Sequence, residues 1–297
     1  MAHGMLHRTL FLLALLPLVL TACGAVSGPR GGVATDTMRD GAPLQRVDIA
    51  AISDAVPRHE PRSKYGNPAT YAVAGKTYRI MSDNEGYQES GIASWYGTKF
   101  HGRRTSSGEP YDMHGMTAAH KTLPLPTYAE VTNLQNGRKV IVKVNDRGPF
   151  HENRLIDLSY AAASKLGILA TGTGLVDVRA ITPGRTPDAQ EPLPEVAASG
   201  VPSAQEQPPV NDKPRAVKLY LQVGAFRSRD NAERLRVRID DRLDKGTATA
   251  AQIIEGQLYR VQIGPFAKVE EVDRFTRDLG KLGIRDTQVI VDPEDGS

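Results

Sequence analysis

The 297-residue sequence predicts a mostly β barrel domain and a smaller α+β domain of βαββαβ order with a four-stranded antiparallel sheet, joined by a flexible, proline-rich linker. Three observations predict this. Between residues 65 and 182, short β-prone runs alternate with turns and one helical pattern. Eight prolines recur from Pro183 to Pro214, amid Glu, Gln, Ser and Ala. Finally, Leu219-Tyr-Leu-Gln-Val-Gly-Ala-Phe226 is echoed by Tyr259-Arg-Val-Gln-Ile-Gly-Pro-Phe266, each ahead of an amphipathic helix.

Composition narrows the function classes. With 37 basic and 34 acidic residues the net charge is +3, which lacks the concentrated basic excess of a nucleic-acid binder. At the N-terminus, Arg8 precedes an apolar run from Leu10 to Leu20 that is interrupted by Pro17, too short to span a bilayer but fitting a secretion signal over residues 1–22. The run ends Leu20-Thr-Ala-Cys23 and resembles a bacterial lipobox, with Cys23 the chain's single cysteine. Lipidated there, the mature chain would be anchored in a membrane by several acyl chains at about 0.8 kcal/mol per buried CH₂. Gly24 in place of Asp points to the outer membrane, with the domains facing the periplasm. Residues 23–64 lack a sustained apolar period and read as a disordered tether, with a reach of about 35–40 Å.

The barrel domain, residues 65–182, opens with a short hairpin over Tyr71 to Tyr78. Strands are expected at 91–96, 129–132, 139–144 and 176–181, with an Asn136-Gly137 turn between the second and third. One helix starts at a Ser159 cap, shows Ala162, Ala163 and Leu166 on one face, and stops at Gly167. In 139–144 the valines 140, 142 and 144 share a face, and the same alternation puts Asp146 on the valine side. A carboxyl held over an apolar interior has a raised pKa, which makes Asp146 the first candidate for a general acid; the other reading is that Asn145-Asp-Arg-Gly148 is simply a turn.

The densest set of reactive and ring-bearing groups lies between Gly91 and Asp112. Trp95 and Tyr96 offer flat faces for a polymer, although Trp95 is equally suited to the barrel core. Glu109 and Asp112 flank Pro110 and bring acid chemistry to the same stretch. His120 can bond a carbonyl or, near two carboxyls, act as an orienter or charge relay; the second is expected. His101, Asp112, His114 and His120 match no ligand spacing, so no metal and no other cofactor is expected.

Gly91-Ile-Ala-Ser-Trp-Tyr-Gly97, Phe100-His-Gly102, Thr105-Ser-Ser-Gly-Glu109, Tyr111-Asp-Met113, Met116-Thr-Ala-Ala-His120 and Asn145-Asp-Arg-Gly-Pro-Phe150 together resemble the rare lipoprotein A family. The resemblance implies a six-stranded double-psi β-barrel, similar to those of lytic transglycosylases and expansins. It also implies a site of Glu109, Asp112, His120 and Asp146.

The linker spans residues 183–215 and could extend to about 100 Å, so the two domains need not touch. In the last domain, residues 216–292, one apolar stripe is Ala232, Leu235, Ile239 and Leu243, and the other Val272, Phe275, Leu279 and Leu282. Strands at 249–254 and 286–291 complete the unit. With Leu221, Val223, Val261 and Ile263 under the helices, alternation leaves Tyr220, Gln222, Arg260 and Gln262 on an open face. This domain resembles the sporulation-related repeat (SPOR), which implies binding of peptide-free peptidoglycan strands as found at division septa. The combined reading is an outer-membrane lipoprotein that cleaves glycan strands to 1,6-anhydromuramic ends as a lytic transglycosylase; the alternatives are an expansin-like binder that loosens the wall without cleavage, and a hydrolase on the same barrel.

Overall fold

The computed structural model describes residues 40–43, 48–183, 217–241 and 250–293. The expected signal segment, Cys23 and nearly all of the expected linker lie outside the described residues.

Six strands close into a barrel in the order β3-β7-β4-β6-β5-β8. They are β3 (Gln88–Tyr96), β4 (Thr117–His120), β5 (Thr127–Asn133), β6 (Lys139–Asp146), β7 (Arg154–Ser159) and β8 (Gly174–Ile181), and they come after a two-stranded hairpin of β1 (Thr70–Val73) and β2 (Lys76–Arg79). The β3–β7 and β4–β6 pairs are parallel and the remaining neighbours antiparallel, the mixed wiring of a double-psi barrel. Val140, Val142, Val144, Ile156, Leu158, Val176 and Val178 are buried in its interior, each contributing roughly 1.5–3 kcal/mol by leaving water. Helix α1 (Tyr160–Leu166) closes against them, with Ser159 Oγ accepting from the Ala162 amide and Gly167 ending it at φ 78°.

Four expected strands and the helix are present, each strand longer than the local pattern predicts. The local pattern does not predict β4 and β7: Thr117-Ala-Ala-His120 is short with little β-branching, and β7 is only six residues.

Residues 48–64 depart from the tether reading. Ile49, Ile52 and Ala55 pack on the barrel core, the Ala55 amide donates to the Ile141 carbonyl at 3.0 Å, and Lys165 reaches Asp54 at 2.6 Å. Glu60 accepts from Tyr128 Oη at 2.5 Å and Lys143 Nζ at 3.0 Å. Burial opposes its ionisation, but Tyr128, Arg58 and Lys143 outweigh it and hold the carboxyl at about 2. These contacts bind the segment to the barrel with apolar burial that isolated sequence windows do not reveal.

In the second domain β9 (Val217–Phe226), β10 (Ala250–Ile254), β11 (Tyr259–Phe266) and β12 (Gln288–Pro293) form an antiparallel sheet in the order β10-β11-β9-β12. Helices α2 (Arg229–Asp240) and α3 (Val269–Lys281) cover one face, burying Leu221, Val223, Val261 and Ile263 against Ala232, Ile239, Val272 and Leu279. Leu282 is 36% exposed because α3 has already ended. The two domains do touch. Arg154 Nη2 meets Asp273 Oδ2 at 2.8 Å, Asn153 bonds Asp273 and Thr276 at 2.9 Å each, and Ile92 and Leu175 join the apolar cluster of the second domain. A linker long enough to separate the domains does not prevent complementary surfaces from meeting.

Candidate active site

A break in strand alternation builds the site. Across the β4–β6 pair, Ala118 faces Val144 but Ala119 faces Asp146, so Asn145 is an extra residue on β6. One inserted residue reverses the facing of every residue after it in the strand. Asp146 therefore does not continue the valine side, contrary to the expectation from parity. Ala119 pairs on its other side with Asp157, which pairs with Ser94. Ser94, Asp157, Ala119 and Asp146 thus form one row across β3, β7, β4 and β6, and paired residues share a face. Two strand spacings separate the carboxylates' Cα atoms, about 9–10 Å.

The two carboxyls live in different surroundings. Asp146 is half-buried, and its Oδ1 accepts from the Ser106 amide at 2.8 Å, Ser106 Oγ at 2.6 Å and the Arg147 amide at 2.7 Å. Among the described residues nothing bonds Oδ2, which leaves that oxygen for a ligand. Asp157 accepts from Ser94 Oγ, and burial pushes its carboxyl above the usual range despite that bond and the nearby Arg154 and Lys121. The enclosed carboxyl expected at 146 is therefore found at 157. Arg154-Leu-Ile-Asp-Leu-Ser159 carries a signal, an acidic residue between apolar ones in an alternating strand, that lies outside the glycine-rich loops where catalytic groups are expected.

The other expected residues divide. Glu109 Oε1 accepts from Lys143 Nζ and Oε2 from Asn145 Nδ2, both at 2.8 Å; burial opposes ionisation but these donors prevail and lower its pKa, and through them Glu109 holds the bulge residue. Asp112 is 61% exposed in its side chain and accepts from the His114 amide at 3.0 Å, with His101 and His114 each 3.7 Å away.

Among the described residues, His120 makes no direct hydrogen bond to a carboxyl. Its Nδ1 accepts from the Thr122 and Leu123 amides at 3.2 and 3.0 Å, so Nε2 carries the proton and donates to Tyr87 Oη at 2.9 Å. Burial first, then Lys121 and Arg147, lowers its pKa to about 3. The ring instead shapes the turn whose His120 and Leu123 carbonyls accept from Arg147 Nη1, next to Asp146. Tyr96 is 8% exposed and stacks on Tyr111 at 4.2 Å, which removes it as a polymer platform. Burial, with Tyr111, Asp146 and Asp157 nearby, pushes its hydroxyl well above the usual tyrosine value. Trp95 packs against the core and meets Tyr160 edge-on at 6.0 Å.

In the second domain, Tyr220, Gln222, Arg260 and Gln262 are partly exposed on the sheet face away from the helices, as expected. Register adds two residues: Gln252 faces Gln262, Gln262 faces Gln222, and Gln222 faces Gln288, one glutamine from each strand in a single row. None of the four has a fixed side-chain hydrogen bond among the described residues.

Comparison with known proteins agrees with both halves. The lytic transglycolase family matches residues 88–180 and the SPOR domain residues 216–290. The chain is 41% identical over 307 aligned positions to "Endolytic peptidoglycan transglycosylase RlpA" of Pseudomonas aeruginosa, covering 91% of this chain and 88% of that one. The Vibrio cholerae protein of the same name is 50% identical over 173 positions, 58% of this chain and 64% of the other. Among solved structures, apo-expansin of Clavibacter michiganensis aligns at 15% identity over 71% of this chain and 87% of that one, with a TM-score of 0.26.

Proposed function

Because the chain belongs to the RlpA family of endolytic peptidoglycan transglycosylases, we propose that it cleaves peptidoglycan strands internally without water, using Asp157 and Asp146 as acid and base. The observation that carries this reading is the Asp157–Ala119–Asp146 row, in which burial favours the protonated form of one carboxyl while the other keeps a free oxygen. Asp157 gives its proton to the glycosidic oxygen as the bond to muramic C1 breaks. Asp146 Oδ2 takes the proton from the C6 hydroxyl, whose oxygen closes on C1 to leave the 1,6-anhydro end. No water is consumed, and solvent exchange restores both carboxyls. Glu109 holds Asn145 and Lys143 in place, His120 orders the turn around Arg147, and exposed Asp112 lies at the rim.

The second domain, with limits near 216–292, takes peptide-free strands on Tyr220, Gln222, Arg260 and Gln262, extended by Gln252 and Gln288. Cys23 anchors the chain in the outer membrane facing the periplasm, and the second domain enriches it at the septum. Cys23→Ser should then release the protein without detergent; retention in the membrane fraction of the variant would count against the anchor.

The decisive experiment is mass analysis of fragments from purified peptidoglycan treated with protein lacking residues 1–23. Ends should be anhydromuramic, one water lighter than hydrolysis fragments. Reducing ends would make it a hydrolase, and intact strands that are nevertheless bound would favour a wall-loosening binder.

A further inference from the structure

Tyr96 is buried and Trp95 packs against the barrel core, and a different set of rings borders the candidate carboxyl. In the β1–β2 hairpin, which precedes the family match at 88–180, Tyr71 and Tyr78 are cross-strand partners with rings stacked at 5.2 Å and 23°. Phe150 meets Tyr71 edge-on at 6.3 Å and Tyr78 at a 56° tilt and 5.8 Å, while remaining 43% exposed. A cavity of about 450 Å³ opens beside them, bounded by Tyr71, Val73, Pro68 and Phe150 and floored by Ser106 and Arg147. That volume lies in the ~300–1,000 Å³ range of ligand sites.

Two details define what it can take. Ser106 both lines the cavity and donates twice to Asp146 Oδ1, so a ligand there adjoins the reacting groups. Arg147 already donates to the Gly66, His120 and Leu123 carbonyls and to Asn67 Oδ1, which leaves one of its five N–H groups, so the cavity offers an anion little hydrogen-bonding capacity. What remains is an aromatic wall with few polar groups. A pyranose suits such a wall, because its C–H face packs on the rings while its hydroxyls turn to solvent.

We propose that Tyr71 and Phe150, braced by Tyr78, form a sugar subsite that holds a neutral hexosamine of the glycan strand next to the scissile bond. It rests on the glycan-cleaving reading above. The hairpin is then part of the cleft, and chain length needed for efficient cleavage depends on it.

The test uses protein lacking residues 1–23 and peptide-free strands of defined length. Phe150→Ala should raise KM about tenfold and shift the fragment-length distribution while leaving kcat nearly unchanged, since stacking on a ring is lost but no reacting group is. Phe150→Trp should restore KM. Val73→Trp, which fills the cavity without truncating its wall, should also raise KM. Unaltered KM and fragment lengths in both Phe150→Ala and Val73→Trp, with melting temperatures preserved, would overturn the subsite. If the wild-type protein cleaves nothing, the functional reading fails separately, and NMR titration with peptide-free glycan fragments decides: shifts at the Tyr71 and Phe150 rings support the subsite, and their absence overturns it.

Discussion

The barrel and the second domain both present polar residues on a β face, but they hold them differently. In the barrel each is tied down: Asp146 Oδ1 has three donors, Glu109 two, and the His120 ring three partners. In the second domain the glutamine row Gln252, Gln262, Gln222 and Gln288 has no fixed side-chain partners among the described residues. On the proposed reading, the difference reflects the task. Proton transfer gains from groups held in place before the substrate arrives, whereas retention of a repeating polymer tolerates side chains that adjust to the strand's register.

The sharpest way to break this comparison is to neutralise the barrel's carboxyls. Asp157→Asn or Asp146→Asn should lower cleavage by roughly 10²–10⁴ while leaving glycan binding intact. The Asp157 change should not cost stability at neutral pH. Its folded pKa is raised above the unfolded value, so what it contributes is present below the unfolded pKa and lost as pH rises through the folded one. A normal rate in Asp157→Asn would return the acid role to Asp146.

The buried imidazole predicts acid sensitivity of the opposite sign. His120 has a folded value of about 3 against about 6.5 unfolded, so the unfolded chain binds the extra proton and stability falls as pH drops across that window, by on the order of 4 kcal/mol. Urea melts from pH 7 to 4 should show the fall, and His120→Gln should flatten it. An equally steep loss in the variant would assign it to other groups.

At the contact between the domains, Asp273→Ala strands Arg154, whose side chain is only 10% exposed, and should cost about 3 kcal/mol or more locally. Calorimetry should resolve two transitions in the variant where the parent shows a coupled one; identical traces would mean that the contact adds no cooperativity. The smallest effect belongs to the adaptable face: Gln222→Ala with Gln262→Ala should weaken binding of peptide-free glycan by about 1–3 kcal/mol, with helicity unchanged by circular dichroism. Undiminished binding would move the site off the sheet.

Local chemistry alone determined a good deal of this protein. The Ser159 cap and Gly167 stop delimit α1, the doubled strand motif with its apolar stripes specifies the second domain, and alternation predicts which of Leu221, Gln222 and Val223 faces the helices. Such features depend on residues a few positions apart, so they are written in short windows. Tertiary structure decided the candidate site. Asn145 reverses Asp146 only because β4 pairs with β6 in a shifted register, and Asp157 becomes its partner only because β4 lies between them. Burial keeps the His120 ring neutral, and residues 48–64 take hold of the barrel through Asp54 and Glu60. Those outcomes come from pairing and desolvation between segments far apart in the chain, where no local period records which residue will be enclosed.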